Sequence, residues 1–144
     1  MTFTHKAQPV YYNYNLDGEV LKRSDSVKDL GVYLQSSFKF NLHFTHIVNK
    51  AYRKLGFIIR NSKSFVKTET LKILYNSLVR PHLEYASIIW SPQANCHIDY
   101  IERVQKKFLR YLYLRENHVY PYLISYNVML ISFKFQTLVQ RRIN

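Results

Sequence analysis

Residues 71–92, LKILYNSLVRPHLEYASIIWSP, carry apolar side chains at helical spacing over several turns, with a proline in the middle. At 3.6 residues per turn, Leu71, Leu74, Tyr75, Leu78, His82, Tyr85 and Ile89 fall on one stripe, and Ile73 and Ile88 widen it. The polar remainder is narrow: Asn76, Arg80, Glu84 and Ser87, with Arg80 and Glu84 four apart and able to pair. The pattern predicts a helix mostly surrounded by protein, capped at Thr68 and stopped by Ser91-Pro92. Pro81 has no N–H to give the carbonyl of Ser77, so the helix is expected to kink there or to be built in two pieces.

Helices of the same kind are expected on either side. From Asn41, a suitable N-cap, Phe44, Ile47, Val48, Ala51, Leu55 and Ile58 repeat at helical spacing to Asn61, with Gly56 on the outer face. A further helix is expected from Cys96 to Leu114, with Asp99 and Glu102 in its first turn and bases in its last, as the helix dipole favours. Its apolar stripe is Ile101, Val104, Phe108 and Leu112. Beyond Pro121, Ser125 to Arg141 reads as another helical stretch carrying Leu130, Phe133 and Leu138.

The N-terminal part has the other period. Val10, Tyr12, Tyr14 and Leu16 alternate before Asp17-Gly18, and such a pair between alternating runs signals a hairpin, because both turn residues accept positive φ. A strand from Val27 to Leu34, with Gly31 inside it, is expected to follow. The fold class is therefore α+β, mainly α: an antiparallel hairpin or three-strand piece over residues 1–40, a three-helix bundle over 41–118, and a C-terminal helical tail over 119–144.

Charge narrows the function classes. Lys and Arg number 21 against 9 acids, a formal net charge of +12. The surplus is concentrated: residues 30–68 contain no acid, and from Arg103 onward only Glu116 opposes the bases. A field of this sign favours a polyanion, and nucleic acid is the commonest intracellular one. Arg103, Lys106, Lys107 and Arg110 recur at i, i+3, i+4 and i+7 opposite the apolar stripe, and Arg53 and Arg60 lie outward on the first helix, with Lys50 and Lys54 on its flank. Four like charges on one helical face repel one another, which favours phosphate contact over an idle solvated face. Tyr52 and Tyr113 could pack on sugar or base, though half-buried packing is the commoner use of such tyrosines.

Other chemistries find little support. One cysteine, Cys96, precludes an internal disulfide framework, and MTFTHKAQPVYY lacks a secretory h-region. An intracellular protein, nuclear or cytoplasmic, with no membrane span is expected. His43 and His46 are three apart without an evident third metal ligand, Cys96-His97 lacks a second cysteine, and no phosphate-binding Gly-rich loop occurs. No metal or cofactor site is expected in this chain.

In their order, VKDLGVYLQSSFKFNLHF (27–44), HIVNKAYRKLGFIIRNS (46–62), the 71–92 stretch and IDYIERVQKKFLRYL (98–112), with a weaker LVQRR at the end, resemble the C-terminal part of the reverse transcriptase of non-LTR, LINE-type retrotransposons, above all the jockey-like mobile elements. The resemblance covers nearly the whole chain. It implies that Asp29, Leu30, Gly31 and Val32 form the primer-grip loop or hairpin at the end of the polymerase palm. The helices after it would be the thumb, lying on an RNA–DNA or DNA duplex. The family's catalytic aspartate pair, which holds Mg²⁺ in the full-length RNA-directed DNA polymerase, has no counterpart here, since Asp17, Asp25, Asp29 and Asp99 are scattered. The expectation is a truncated copy or gene model that grips template–primer backbone and is not catalytic without the missing palm and fingers. The alternatives are a domesticated protein–protein interaction module and a relic without function.

Overall fold

The computed structural model describes residues 1, 3, 12–63 and 67–143, which form an α+β, mainly α architecture. The chain divides into two compact units, residues 1–43 and 44–144.

The first unit holds two separate two-stranded antiparallel sheets. In the first, β1 (Asn15–Leu16) pairs with β2 (Glu19–Val20) around Asp17 and Gly18, whose φ values of 51° and 85° make the two-residue turn expected of this dipeptide. The hairpin is short and neither face is covered: Tyr12, Tyr14 and Leu16 are all exposed. Val10 lies outside the described residues. The second sheet corrects the sequence reading. Residues 27–34 form no single strand; β3 (Ser26–Asp29) folds back on β4 (Val32–Gln35), with Val27 opposite Leu34 and Asp29 opposite Val32. Leu30 and Gly31 are the turn, at φ 42° and 87°. Alternation alone could not reveal this, because a leucine is an unusual occupant of the first left-handed position of such a turn.

Helix α1 spans Asn41–Asn61. Asn41 is its first residue rather than its cap, and Gln35 Oε1 accepts from the Leu42 N–H at 3.2 Å, supplying one of the acceptors that a helix start lacks. His43 is buried, and its Nδ1 accepts from Tyr33 N–H at 3.3 Å.

The second unit is built around α1 and α5 (Asn95–Asn117), with three shorter helices between them: α2 (Thr68–Leu78), α3 (Arg80–Glu84) and α4 (Ser87–Trp90). The break at Val79 is where Pro81 demands one, and Pro81 itself sits in the first turn of α3, where a missing N–H costs nothing. A second break, at Ala86 with φ 54°, has no proline or glycine to announce it. The buried apolar residues are Leu71, Tyr75, Val79, Leu83 and Trp90, whereas of the expected stripe Leu74, Leu78 and His82 are half-buried and Tyr85 and Ile89 exposed. The inward face already runs in four-residue steps from Leu71 within α2, and the Ala86 break then turns α4 so that Trp90 points inward. Ile73, Tyr85, Ile88 and Ile89 are exposed, Ile88 almost completely, so the stretch is less enclosed than its composition implied. Lys67, rather than Thr68, occupies the N-cap position, with no side-chain cap.

In α5 the expected stripe is fully buried, joined by Leu109, Gln105 and Glu102. The helix begins at Asn95, so its first turn carries no acid and Glu102 lies well inside it. The C-terminal stretch is two helices, α6 (Tyr126–Phe133) and α7 (Leu138–Ile143), divided where Lys134 takes the left-handed conformation. Ser125 caps α6 by accepting from the Val128 N–H.

Helix α5 packs against both α2 and α6. Tyr75 stacks on Phe108 at 4.1 Å between ring centroids, and Phe135 lies against both; such ring pairs add roughly 0.5–1.5 kcal/mol beyond the area they bury. Inside this packing runs a polar chain. Tyr75 Oη donates to Gln105 Oε1 at 3.2 Å, and Gln105 Nε2 donates to Tyr126 Oη at 3.0 Å and to the carbonyl of Gln136 at 2.8 Å. Tyr126 in turn donates to Glu102, whose two carboxylate oxygens also face the N–H of Leu138 at 3.3 and 3.2 Å. The carboxylate therefore anchors the first residue of α7. Arg141 Nε contacts Glu84 Oε1 at 2.6 Å, and the Arg142 guanidinium lies 5.3 Å over the Trp90 ring. Glu84 keeps its expected partner as well, Arg80 at 3.6 Å.

Candidate functional site

The burial of Ile101, Val104, Phe108 and Leu112 turns the opposite side of α5 outward, and that side carries the basic ridge. Arg103, Lys107 and Arg110 are exposed, and Lys106 is half-buried. The ridge forms one wall of an open groove of about 670 Å³, and Tyr52 and Ile59 of α1 lie across from it. Tyr111, Leu114 and Tyr120 complete the lining. A second groove, of about 840 Å³, runs along α1 beside Arg53, Gly56 and Arg60. Tyr52 lines both. Six of the eight basic residues singled out from the sequence thus border two grooves that share one tyrosine.

Lys50 and Lys54 are exposed but line neither groove. Their charges act instead on His82, which burial chiefly, and then Lys50, Lys54 and His46, hold below the usual imidazole value. Tyr113 is half-buried and lines neither groove.

Two contacts tie the C-terminal end of α1 to α5 beside the groove. Tyr111 Oη and Ser62 Oγ are 2.9 Å apart, joining the end of α1 to α5, and Arg115 Nη1 donates to the carbonyl of Lys63 at 2.7 Å. Within the groove Lys107 Nζ sits 5.3 Å over the Tyr52 ring, an arrangement that holds the lysine against an aromatic face while its charge stays accessible. Burial pushes the Tyr52 phenol above its ordinary value, Arg103 opposes that shift, and Tyr100 adds to it. The hydroxyl therefore stays protonated at neutral pH and can donate to an anionic oxygen.

The only ion pair on the ridge among the described residues joins Lys106 to Asp99 at 3.7 Å; both ends are solvated, which leaves such a pair worth about 0–1 kcal/mol. Lys106 also lies 5.1 Å from the Tyr126 ring centroid. Arg53, Arg60, Arg103 and Arg110 pair with no carboxylate among the described residues. A cleft lined by one sign of charge focuses its field on an approaching anion.

Asp29, Leu30, Gly31 and Val32 are the tip of the second hairpin. Leu30 is 85% exposed in its left-handed position, whereas Val32 is 3% exposed. No group of three or more His, Cys, Asp or Glu that could hold a metal ion occurs among the described residues, and no helix among them is long and apolar enough to cross a membrane.

Sequence reasoning overlooked Ile59, Tyr111 and Tyr120 in the groove. Ile59 and Tyr111 adjoin the predicted apolar stripes and read as ordinary packing, and only the pairing of α1 with α5 places them here. Tyr120 sits in an irregular segment with no period to exploit. The chain matches no protein-family model, no curated protein and no solved structure.

Proposed function

We propose that the chain is a nucleic-acid grip, the primer-grip and thumb portion of a retrotransposon RNA-directed DNA polymerase, holding the backbone of an RNA–DNA or DNA duplex. The observation that carries this reading is the groove between α1 and α5, in which Arg103, Lys106, Lys107 and Arg110 face Tyr52 and, among the described residues, only Asp99 pairs with any of them. Guanidinium and ammonium groups without protein anions suit phosphate oxygens, and contacts of that kind hold a duplex in place without reading its bases. The order of sequence motifs supports the narrower assignment, with Asp29–Val32 as the primer-grip-like turn. The chain alone is expected not to polymerise.

The test is the affinity of the purified chain for a labelled RNA–DNA hybrid across a salt series. Neutralising roughly four to six phosphates makes log K fall with log[salt] at a slope of about −4 to −5. Weak binding with a flat salt response would remove the basis of the proposal. A second reading, a protein-interaction module, draws on the exposed Tyr85, Ile88 and Ile89 on one short segment. Charge reversal along α5 separates the two, because it abolishes a phosphate grip and spares an apolar interface.

A further inference from the structure

At Tyr120 the basic groove meets a segment whose shape the backbone sets. His118 ends α5 in the left-handed conformation, its N–H donating to the carbonyl of Leu114 at 2.9 Å. Two residues later the N–H of Tyr122 donates to the carbonyl of Tyr120 at 2.9 Å, a three-residue turn centred on Pro121. The proline ring restricts φ and is itself buried, so the turn is held from both sides. It brings the rings of Tyr120 and Tyr122 to 4.7 Å between centroids, at 54° to each other. Tyr120 lines the groove, whereas Tyr122 is 85% exposed and Leu123 fully so.

A tight turn that holds an aromatic pair outward, beside a groove in which Arg103, Lys107 and Arg110 pair with no carboxylate among the described residues, is a stacking platform next to a phosphate-binding wall. Bases inside a duplex have both faces covered by their neighbours, but the first unpaired base beyond a duplex end has one face open. Stacking of that base on an aromatic ring is tolerant of sequence, and phosphate contacts nearby set its position. An apolar peptide is a poorer fit, because it would strip water from Arg103, Lys107 and Arg110 without offering them anions.

We propose that the groove accepts a duplex end carrying a single-stranded overhang, with phosphates on Arg103, Lys107 and Arg110 and the first unpaired base stacked on Tyr122. This rests on the nucleic-acid reading of the groove and adds the form of the ligand.

The experiment compares the full chain's affinity for a blunt RNA–DNA hybrid with that for the same hybrid bearing a short overhang, at one low salt concentration. The readout is the ratio of the two Kd values within each variant. The overhang tightens binding about tenfold in the parent chain, within the range of one stacked base. Tyr122→Ala brings the ratio to about one, while Tyr122→Phe, which keeps the ring, preserves the gain. Because Tyr122 is solvent-exposed, melting followed by circular dichroism is expected to be the same for all three proteins. Equal affinity for the two hybrids, or a gain that survives in Tyr122→Ala, overturns the overhang proposal while leaving the duplex grip standing. Failure of both hybrids to bind overturns the overhang proposal together with the reading on which it rests.

Discussion

Replacing Glu102 by alanine tests whether one buried carboxylate holds the C-terminal helix to the rest of the second unit. Glu102 is 5% exposed and accepts from the Tyr126 hydroxyl and from the Leu138 N–H. Removing it strands two donors, and a buried donor without an acceptor costs roughly 1–3 kcal/mol. Tyr126 is half-buried and can recover part of its loss from water, whereas Leu138 is completely buried and its N–H cannot. Burial already disfavours the charge on Arg142, and Glu102 and then Glu84 are the carboxylates that offset this. Taking the donors and the exposed imbalance together, Glu102→Ala is expected to destabilise the chain by about 3–5 kcal/mol.

Glu102→Gln keeps the shape and one acceptor oxygen but sets an amide NH₂ against the Leu138 N–H, so about half the loss is expected. Urea unfolding at pH 7 measures both, with the slope compared between variants to detect a change in the unfolded state. Hydrogen exchange adds a local readout, since the Leu138 amide is expected to lose protection before those of α5. An alanine variant within about 1 kcal/mol of the parent, with Leu138 still protected, would refute the assignment of Glu102 as the anchor.

Arg110→Glu is expected to weaken hybrid binding and to reduce the salt slope by about 1 or more, while Lys50→Glu, outside both grooves, has a smaller effect; equal effects would show that net charge matters and groove position does not. Gly56→Ala is expected to stabilise the chain by about 0.5–1 kcal/mol, since a helical glycine is unfavourable and an added Cβ would meet only the mobile end of Arg60, at 3.3 Å. A lowered urea midpoint would mean that Arg60 cannot move aside. Burial, reinforced by Lys50, Lys54 and His46, holds His82 below its ordinary 6.5. The unfolded chain therefore takes up that proton first, so stability is full above 6.5, where this group adds no pH dependence, and falls as pH drops from 6.5 toward the folded-state value. His82→Gln is expected to flatten the urea midpoint across this range, and an unaltered pH profile would count against the reading.

The extent to which the sequence was legible differed between elements. Helix α5 was read almost residue by residue, because its apolar and basic faces are cleanly separated and a 3.6-residue period maps directly onto inside and outside. Its ends and Glu102 were misjudged: a carboxylate near a helix start has an obvious exposed use, and nothing local announces that Tyr126 and Leu138, far along the chain, will surround it. The 71–92 stretch was read correctly as interrupted at Pro81, yet its inward face was misassigned, within α2 at Leu74 and Leu78, which are half-buried, and beyond it at His82, Tyr85 and Ile89. A break restarts the helical phase, and the Ala86 break depends on a left-handed alanine that no propensity favours. The hairpin tip at Leu30 was hidden from the alternation pattern for the same reason, although the family resemblance implied a loop or hairpin over Asp29–Val32.

By itself the sequence determined the helical period of α1 and α5, the Asp17-Gly18 turn, the necessity of a break at Pro81 and the segregation of positive charge, because each depends on residues within a few positions of one another. Only the tertiary structure decided which basic residues share a surface. Arg53 and Arg60 join the ridge of α5 because Tyr52 stands between the two grooves, whereas Lys50 and Lys54, one turn and less away, line neither groove and their charges act on His82 instead. That choice follows from the rotation of α1 about its own axis, which is set by what its apolar stripe packs against.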